Sequence, residues 1–292
     1  MIEFAKPEMQ PALSLLWQEC FHDPAQYPDF FLSRISLSRD CLTDIENGKL
    51  AAAVYFLPAQ IYTGEKTLQS HYVFAAATTP SFRSRGLMSA LLARMAEEGA
   101  KRGDCFSAVL PSDEGLYRFY AAAGYRSFFR VRLVDAARER LQALADGSLS
   151  CVCAAPELSC LNACRRQFLS SNSGSLLWDD RMLGVSLAVS RTYGDQLVCA
   201  GEGAAFSYAL CRTEGTVCTV LEMAAESKAC PALLAEILEK APAKHYRFRL
   251  PVGNGPFPGE GEFVPFGMLK PLGGRSLADA GARSPYLGLG MD

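Results

Sequence analysis

Two arginines and a glycine stand together in the hexapeptide Arg83-Ser84-Arg85-Gly86-Leu87-Met88, a combination that suits anion binding. Gly86 has no Cβ, so the backbone there can approach a ligand closely. A helix is predicted to begin near Gly86, and the first N–H groups of a helix have no partners inside it. With the helix dipole and two guanidinium groups, these donors suit a pyrophosphate. An ordinary basic turn that caps a helix gives the same pattern, so the hexapeptide alone leaves both interpretations open.

The elements on either side of this loop are predicted from periodicity. Tyr72 to Thr78 is a continuous apolar run of strand length, and Pro80 ends it because proline cannot donate to the ladder. After Gly86, apolar residues recur at helical spacing with charged residues opposite, and Gly103 ends the pattern. A second strand, Phe106 to Leu110, is expected to pair in parallel with the first because a long helix connects them. Two such strands, each followed by a helix, define a ligand crevice.

This order, followed by Phe119-Tyr120-Ala121-Ala122-Ala123-Gly124-Tyr125, resembles the GNAT superfamily of acyl-CoA-dependent N-acyltransferases. That superfamily has a central motif Arg/Gln-x-x-Gly-x-Gly/Ala after a strand and a later signature Phe-Tyr-x-x-x-Gly-Phe/Tyr. The resemblance covers roughly residues 1–134. Met88 stands where the first motif often ends in Gly or Ala, a small departure because backbone N–H groups do the binding. More narrowly, the chain is similar to bacterial two-module acetyltransferases akin to the enhanced-intracellular-survival protein.

The resemblance implies an α/β (α+β) fold of two tandem GNAT-like modules, each with a mixed central sheet flanked by helices. We expect a catalytic, acetyl-CoA-binding domain over residues 1–134, a linker helix over 135–150 and a second domain over 151–292. The second domain repeats the order of strands and helices, but no Arg-x-x-Gly lies between Ala225 and Leu233, so we interpret it as degenerate. Tyr125 to Val134 is predicted to be the last strand of the first module, and the Gly- and Pro-rich tail from Val252 to Gly274 is expected to be mostly loop.

The resemblance also implies where acetyl-CoA binds. In the resembled fold the central strand and its parallel neighbour splay apart, and the pantetheine arm bonds to the exposed backbone. That position corresponds here to small residues at the end of the central strand, and the pyrophosphate position corresponds to the hexapeptide. The predicted cofactor-binding residues are therefore Ala76, Ala77, Thr78, Arg83, Ser84, Arg85, Gly86, Leu87 and Met88.

Tyr120 is the predicted catalytic residue. It matches the tyrosine of the superfamily signature, which protonates the departing cofactor sulfur as a general acid. A tyrosine that only packs its helix is the alternative, and Tyr117, one turn earlier, is the second candidate. No general base is evident, because the central strand carries Ala75, Ala76 and Ala77 where some family members place Glu. For His71, beside that strand, we expect a partly exposed strand-end histidine rather than a base.

The expected activity is transfer of an acetyl group from acetyl-CoA to a primary amine of a small molecule or peptide. A non-catalytic acyl-CoA-binding sensor and an anion-binding regulatory module without CoA preference remain alternatives. The net charge of −2 and pI near 6.0 argue against a general nucleic-acid binder. No apolar run reaches membrane-spanning length, and the N-terminal residues lack the basic and then apolar pattern of a signal peptide. We therefore expect a cytoplasmic protein without a membrane partner.

Eleven cysteines occur among 292 residues, mostly within apolar segments. This distribution favours small core residues. The densest group, Cys151, Cys153, Cys160 and Cys164, lacks the paired Cys-x-x-Cys elements of common zinc sites, so no metal is expected.

Overall fold

The computed structural model describes residues 1–147, 156–281 and 283–291. Two compact units alternate along the chain. The first unit consists of Met1–Ile61, Leu68–Ser127 and Gly267–Asp279, and the second of Tyr62–Thr67, Phe128–Phe266 and Ala280–Asp292.

Helices and strands of the described residues are numbered in chain order. The helices are α1 (Gln10–Phe21), α2 (Gln26–Leu32), α3 (Leu37–Asp40), α4 (Leu87–Lys101), α5 (Glu114–Ala122), α6 (Arg138–Leu144), α7 (Leu158–Phe168), α8 (Asp180–Thr192) and α9 (Cys230–Lys240). The strands are β1 (Ile2–Phe4), β2 (Cys41–Glu46), β3 (Lys49–Tyr62), β4 (Thr67–Thr78), β5 (Phe106–Val109), β6 (Arg126–Ser127), β7 (Arg130–Ala137), β8 (Ser175–Leu177), β9 (Gln196–Ala200), β10 (Ser207–Glu214), β11 (Val217–Ala224), β12 (His245–Leu250), β13 (Glu262–Pro265) and β14 (Met268–Pro271). This mixed α/β fold with two sheets confirms the predicted fold class.

The sheet of the first unit has the strand order β1-β2-β3-β4-β5-β14-β6. Strands β4 and β5 pair in parallel, as predicted, and α4 connects them. On α4, Leu91, Leu92 and Met95 are spaced so that they share one face, and all three are buried in a core with Val73 and Val109. This packing fixes the beginning of α4 relative to the carboxyl end of β4.

The second unit repeats this plan. Its sheet has the strand order β13-β7-β12-β11-β10-β9. Strands β11 and β12 pair in parallel, and α9 connects them. One buried core joins apolar residues of this sheet, such as Val220 and Phe248, to the inward face of α9 at Leu233 and Ile237.

Each sheet contains one parallel pair, and the next strand beside that pair comes from a distant part of the sequence. Strand β14 lies between β5 and β6 and is antiparallel to both. Strand β7 lies between β12 and β13 and is antiparallel to both. The two halves of the sequence therefore exchange one strand each.

This exchange bears on two predictions. The single strand predicted over Tyr125–Val134 is wrong: β6 ends at Ser127 in the first sheet, and β7 continues to Ala137 in the second. The tail from Val252 to Gly274 is mostly loop, as predicted, but it also contains the short strands β13 and β14. Both strands have only four residues and pair with remote segments, so local composition carried little signal for them.

The compact units also differ from the predicted domain boundaries of 1–134, 135–150 and 151–292. Residues Gly267–Asp279 belong to the first unit because β14 completes its sheet. Within the predicted linker helix, β7 extends to Ala137 and α6 covers Arg138–Leu144, while residues 148–150 lie outside the described part of the chain.

We predict that a fragment of residues 1–134 will not fold stably, because β5 and β6 would lose the strand between them. Since Ser127 at the end of β6 pairs with Met268 at the start of β14, a short turn can join the two strands directly. A fragment of residues 1–127 joined by such a turn to 267–279 should show a cooperative thermal transition by circular dichroism. Stable folding of residues 1–134 alone would contradict this account of β14.

Candidate active site

The parallel ladder between β4 and β5 ends before β4 does. Its partners run from Ser70 with Phe106 to Val73 with Val109, whereas β4 continues to Thr78. The edge of residues 74–78 on this side therefore has no β5 residue beside it in the described chain. Backbone N–H and C=O groups at an open edge can pair with an extended ligand as a further strand would.

A backbone distortion lies within this open segment. Ala75 has a φ of 43°, in the left-handed region that a residue with a Cβ adopts at a cost of about 1–2 kcal/mol. Ala76 and Thr78 are half-buried and Ala77 is buried. Three of the predicted cofactor-binding residues thus follow directly after a strained position in the central strand. Such strain is often found at functional sites.

The predicted anion cradle lies at the beginning of α4. Gly86 is the N-cap residue with a φ of 78°, and no side chain in the described chain caps the helix there. Ser84 also has a positive φ, of 62°. A Cβ added to Gly86 would meet no atom within 4 Å, so the space in front of the helix N-terminus is open. Leu87 and Met88 begin the helix and pack partly against the core, which leaves their first-turn N–H groups as donors.

Arg83 and Arg85 are both exposed and face different partners. Arg83 Nε donates to the carbonyl oxygen of Thr78 at 3.1 Å, so this guanidinium lies against the end of β4. Arg85 Nη2 donates to Ser81 O at 2.9 Å, and its guanidinium lies 5.0 Å from the centre of the Phe82 ring. Neither guanidinium forms an ion pair with a carboxylate of the described residues, so both charges are available to an anionic ligand.

Cys20 is a neighbour of this site that the sequence did not reveal. Its Sγ lies 3.4 Å from the carbonyl oxygen of Thr78 and 3.8 Å from Nη2 of Arg83. The end of α1 is thereby held beside the end of β4. No spacing in the sequence links position 20 to position 78, so only the fold could show this contact.

Tyr120 lies on α5 and is only 5% exposed. It packs edge-on against Phe119 and Tyr125, with 5.4 Å between ring centroids in both pairs. Within the described residues its hydroxyl makes no hydrogen bond. Burial raises the pKa of Tyr120 to about 12, so the phenol keeps its proton throughout the neutral range.

Tyr117, the second candidate, has a different environment. Its hydroxyl oxygen accepts a hydrogen bond from the backbone N–H of Gly267 at 2.9 Å. The side chain is half-buried, and burial raises its pKa. The proton of Tyr117 remains available for donation, but its oxygen is anchored to the segment that leads into β14.

The expectation of a partly exposed His71 is wrong. His71 is fully buried, and its Nδ1 lies 2.7 Å from Oδ2 of Asp104, which also accepts from Arg102 Nε at 2.7 Å. Burial lowers the pKa of His71 against the opposing influence of Asp104. A Cβ at Gly99 would stand 2.6 Å from the His71 ring, so α4 has no room for a larger residue there. His71 therefore supports the fold and is not accessible as a base.

Aromatic side chains fill the other face of the central strand. Phe31 lies 5.2 Å from Trp17 and 5.1 Å from Phe74, measured between ring centroids, and Tyr27 lies 5.7 Å from Trp17. Phe31, Trp17 and Tyr27 are buried, whereas Phe74 is half-buried. These contacts bind α1 and α2 to the sheet.

A cleft of about 230 Å³ lies between α4 and α5. It is lined by Ser89, Ala93, Phe119, Ala122, Ala123 and Lys270. Lys270 Nζ donates to Ala123 O at 2.9 Å. The sequence did not point to Lys270, because this residue belongs to β14, a four-residue strand in a tail that was predicted to be mostly loop.

No cluster of three or more His, Cys, Asp or Glu side chains within residues 1–147, 156–281 and 283–291 is arranged to hold a metal ion. Cys151 and Cys153 lie outside those residues. In the same ranges, every helix is too short or too polar to cross a membrane.

Comparison with protein families identifies part of the chain. Residues 2–127 match a family model described as "Acetyltransferase (GNAT) domain". The chain therefore contains a GNAT acetyltransferase domain, and the resemblance inferred from its motifs is confirmed. None of the curated protein sequences compared with the chain matches it.

Solved structures extend the likeness to both units. A conserved protein from Enterococcus faecalis, described as a probable N-acyltransferase, has a TM-score of 0.75 and 16% identity over 93% of this chain and 72% of its own. A GCN5-related N-acetyltransferase from Anabaena variabilis has a TM-score of 0.72 and 16% identity over 92% of this chain and 72% of its own. Eis1 from Mycobacterium abscessus has a TM-score of 0.69 and 14% identity over 93% of this chain and 73% of its own. At these identities the likeness shows the two-module fold.

We predict that replacing Gly86 with leucine will weaken CoA binding by about tenfold or more, because the side chain would enter the open space before the helix N-terminus. Gly48 offers a matched control, since its φ is 74° and a Cβ there also meets nothing within 4 Å. Gly48→Leu should cause a similar loss of thermal stability from backbone strain and leave CoA affinity unchanged. Calorimetric titration compares the variants, and equal CoA affinities would remove the cradle from residues 83–88.

Proposed function

We propose that the first unit binds acetyl-CoA and transfers its acetyl group to a primary amine of a small molecule or peptide. The observation that carries this proposal is the open edge of β4 beside the uncapped beginning of α4. An extended amide-containing arm can pair with the edge at Ala76, Ala77 and Thr78, and a pyrophosphate fits the N–H groups of residues 84–88. The GNAT domain match over residues 2–127 gives independent support.

The reaction would proceed by attack of a neutral amine nitrogen on the thioester carbonyl carbon. A C–N bond forms and the C–S bond breaks, so the products are the N-acetyl amine and CoA. The departing thiolate takes a proton from the Tyr120 hydroxyl, and the proton lost by the amine passes to solvent, from which Tyr120 is reprotonated. Burial raises the pKa of Tyr120 to about 12, so the phenol is protonated when the thiolate departs, although the same shift makes it a weaker acid.

A single site is supported by the contrast between the two units. At the beginning of α9 in the second unit, Pro231 occupies the first turn and lacks an N–H group. Cys230, Ala232 and Leu233 around it are buried, so a ligand has no open approach to this helix end. We infer that the second unit is a degenerate module that does not bind CoA.

A non-catalytic acyl-CoA sensor is the second candidate, and one observation favours it. His71 lies within the central strand β4, where it is buried and bonded to Asp104, so it cannot deprotonate an acceptor. Water or a remote carboxylate would have to serve as the base. The sensor would bind CoA with the same cradle but would not release it from acetyl-CoA.

Calorimetry and turnover on the intact chain test the proposal together. We expect CoA to bind with a stoichiometry near one, and acetyl-CoA to yield free CoA with at least one amine in a panel of aminoglycosides, polyamines, amino acids and peptides. Binding without turnover across the panel would favour the sensor. A stoichiometry near two would show that the second unit also binds, and no binding would refute the proposal.

We predict that Tyr120→Phe will lower the turnover rate constant by about 100-fold, the usual contribution of a positioned acid, and leave CoA affinity unchanged. The substitution keeps the ring that packs against Phe119 and Tyr125, so thermal stability should stay close to that of the wild type. Tyr117→Phe is the matched control and should retain most of the activity. If only Tyr117→Phe loses turnover, Tyr117 is the general acid. If both variants keep normal turnover, neither Tyr117 nor Tyr120 donates the proton.

A further inference from the structure

The cleft between α4 and α5 contains a positive charge without a counter-charge. Lys270 is half-buried, and its Nζ has one hydrogen-bond partner in the described chain, the neutral carbonyl oxygen of Ala123. No carboxylate of the described residues forms an ion pair with Lys270. An ammonium group that loses hydration without gaining an anion is unfavourable, and burial accordingly lowers the pKa of Lys270. An anionic ligand in the cleft would remove this imbalance.

The walls of the cleft suit one end of an extended ligand. The walls are formed partly by small side chains, those of Ala93 on α4 and of Ala122 and Ala123 at the end of α5. They leave a space of about 230 Å³ between the helices. Phe119 and Ser89 also line this space. Small side chains and an aromatic ring can accommodate a flat heterocycle.

The cleft begins at the residue that follows the anion cradle in the chain. Ser89 is in the first turn of α4, and Ala93 lies one turn further along the same face. A ligand with its pyrophosphate on the N–H groups at the helix beginning can therefore extend into the cleft. If the cradle holds the pyrophosphate, a cation further along is matched by a second anionic group on the same ligand.

We propose that Lys270 binds the phosphomonoester on the ribose of CoA and makes the protein selective for CoA over 3′-dephospho-CoA. This inference rests on the proposed function. CoA carries that phosphate on the nucleotide half, beyond the pyrophosphate, whereas 3′-dephospho-CoA differs only in lacking it. Lys270 is a binding residue in this proposal and takes no part in acyl transfer. It reaches the cleft because β14 lies beside β5, where Lys270 pairs with Ser107.

The test is calorimetric titration of CoA and 3′-dephospho-CoA into the wild type and Lys270→Met, which keeps the apolar part of the side chain. The wild type should bind CoA about tenfold more tightly than 3′-dephospho-CoA, since a charge-assisted contact is lost. Lys270→Met should lose about tenfold in CoA affinity, bind 3′-dephospho-CoA as the wild type does, and so lose selectivity. Lys101→Met is the control, because this lysine is exposed at the other end of α4 and pairs with Glu98.

Three outcomes would overturn the role of Lys270. The wild type could bind CoA and 3′-dephospho-CoA with equal affinity, or Lys270→Met could lose affinity for both compounds equally. The third outcome is that Lys270→Met still binds CoA more tightly than 3′-dephospho-CoA. If Lys270→Met does not fold, Ala93→Leu tests the same cleft, because this exposed alanine tolerates a larger residue that would fill the space. Ala93→Leu should weaken both nucleotides, and unchanged affinities would refute occupation of the cleft. Failure of the wild type to bind either nucleotide would instead refute the proposed function.

Discussion

The early end of the parallel ladder between β4 and β5 is the constraint on which the site depends. Pairing stops at Val73 and Val109, yet β4 continues to Thr78 through a strained Ala75. Beyond Val73, the backbone N–H and C=O groups on this edge of β4 have no neighbouring strand to bond to. This is unfavourable unless water or a ligand forms those hydrogen bonds. The basic loop at Arg83 and the uncapped N-terminus of α4 follow within a few residues. The open edge and the anion cradle are thus two parts of one connection between strand and helix.

The strand exchange determines how this connection is supported. Strand β14 covers the far side of β5, and it brings Lys270 to the cleft and the Gly267 N–H to the Tyr117 hydroxyl. The first sheet is consequently complete only when residues distant in sequence have returned to it. Pairing of such remote segments has a high entropic cost before its contacts form, so we expect slow folding of the intact chain.

Local patterns explain why much of the first unit was predictable. The parallel strands, α4 and α5 follow from apolar spacing, Pro80 and glycine stops, and the motifs at Arg83–Met88 and Phe119–Tyr125 indicated the family. The family match also supports acyltransferase chemistry, while acetyl-CoA and the roles of individual residues remain proposals. For the cradle, the sequence predicted the residues, and the structure adds the positive φ values and the open space around Gly86.

What the sequence did not predict depends on contacts between distant residues. The burial of His71 is stabilised by Asp104, and no local pattern pairs them. In the second unit, the Arg165 guanidinium on α7 and the Glu222 carboxylate on β11 form a buried ion pair, and no local pattern in the sequence pairs them. The four-residue strand β14 is too short to show a periodicity of its own. The domain boundary predicted near Val134 therefore placed this strand in the second domain.

Amide hydrogen exchange of the intact chain, measured by mass spectrometry with and without CoA, tests the central claim most directly. We predict that CoA slows exchange in peptides covering residues 75–78 and 84–89, because these backbone N–H groups would bond to the ligand. Exchange at the beginning of α9 should not change. CoA binding that protects other peptides while residues 75–78 and 84–89 exchange as before would contradict it.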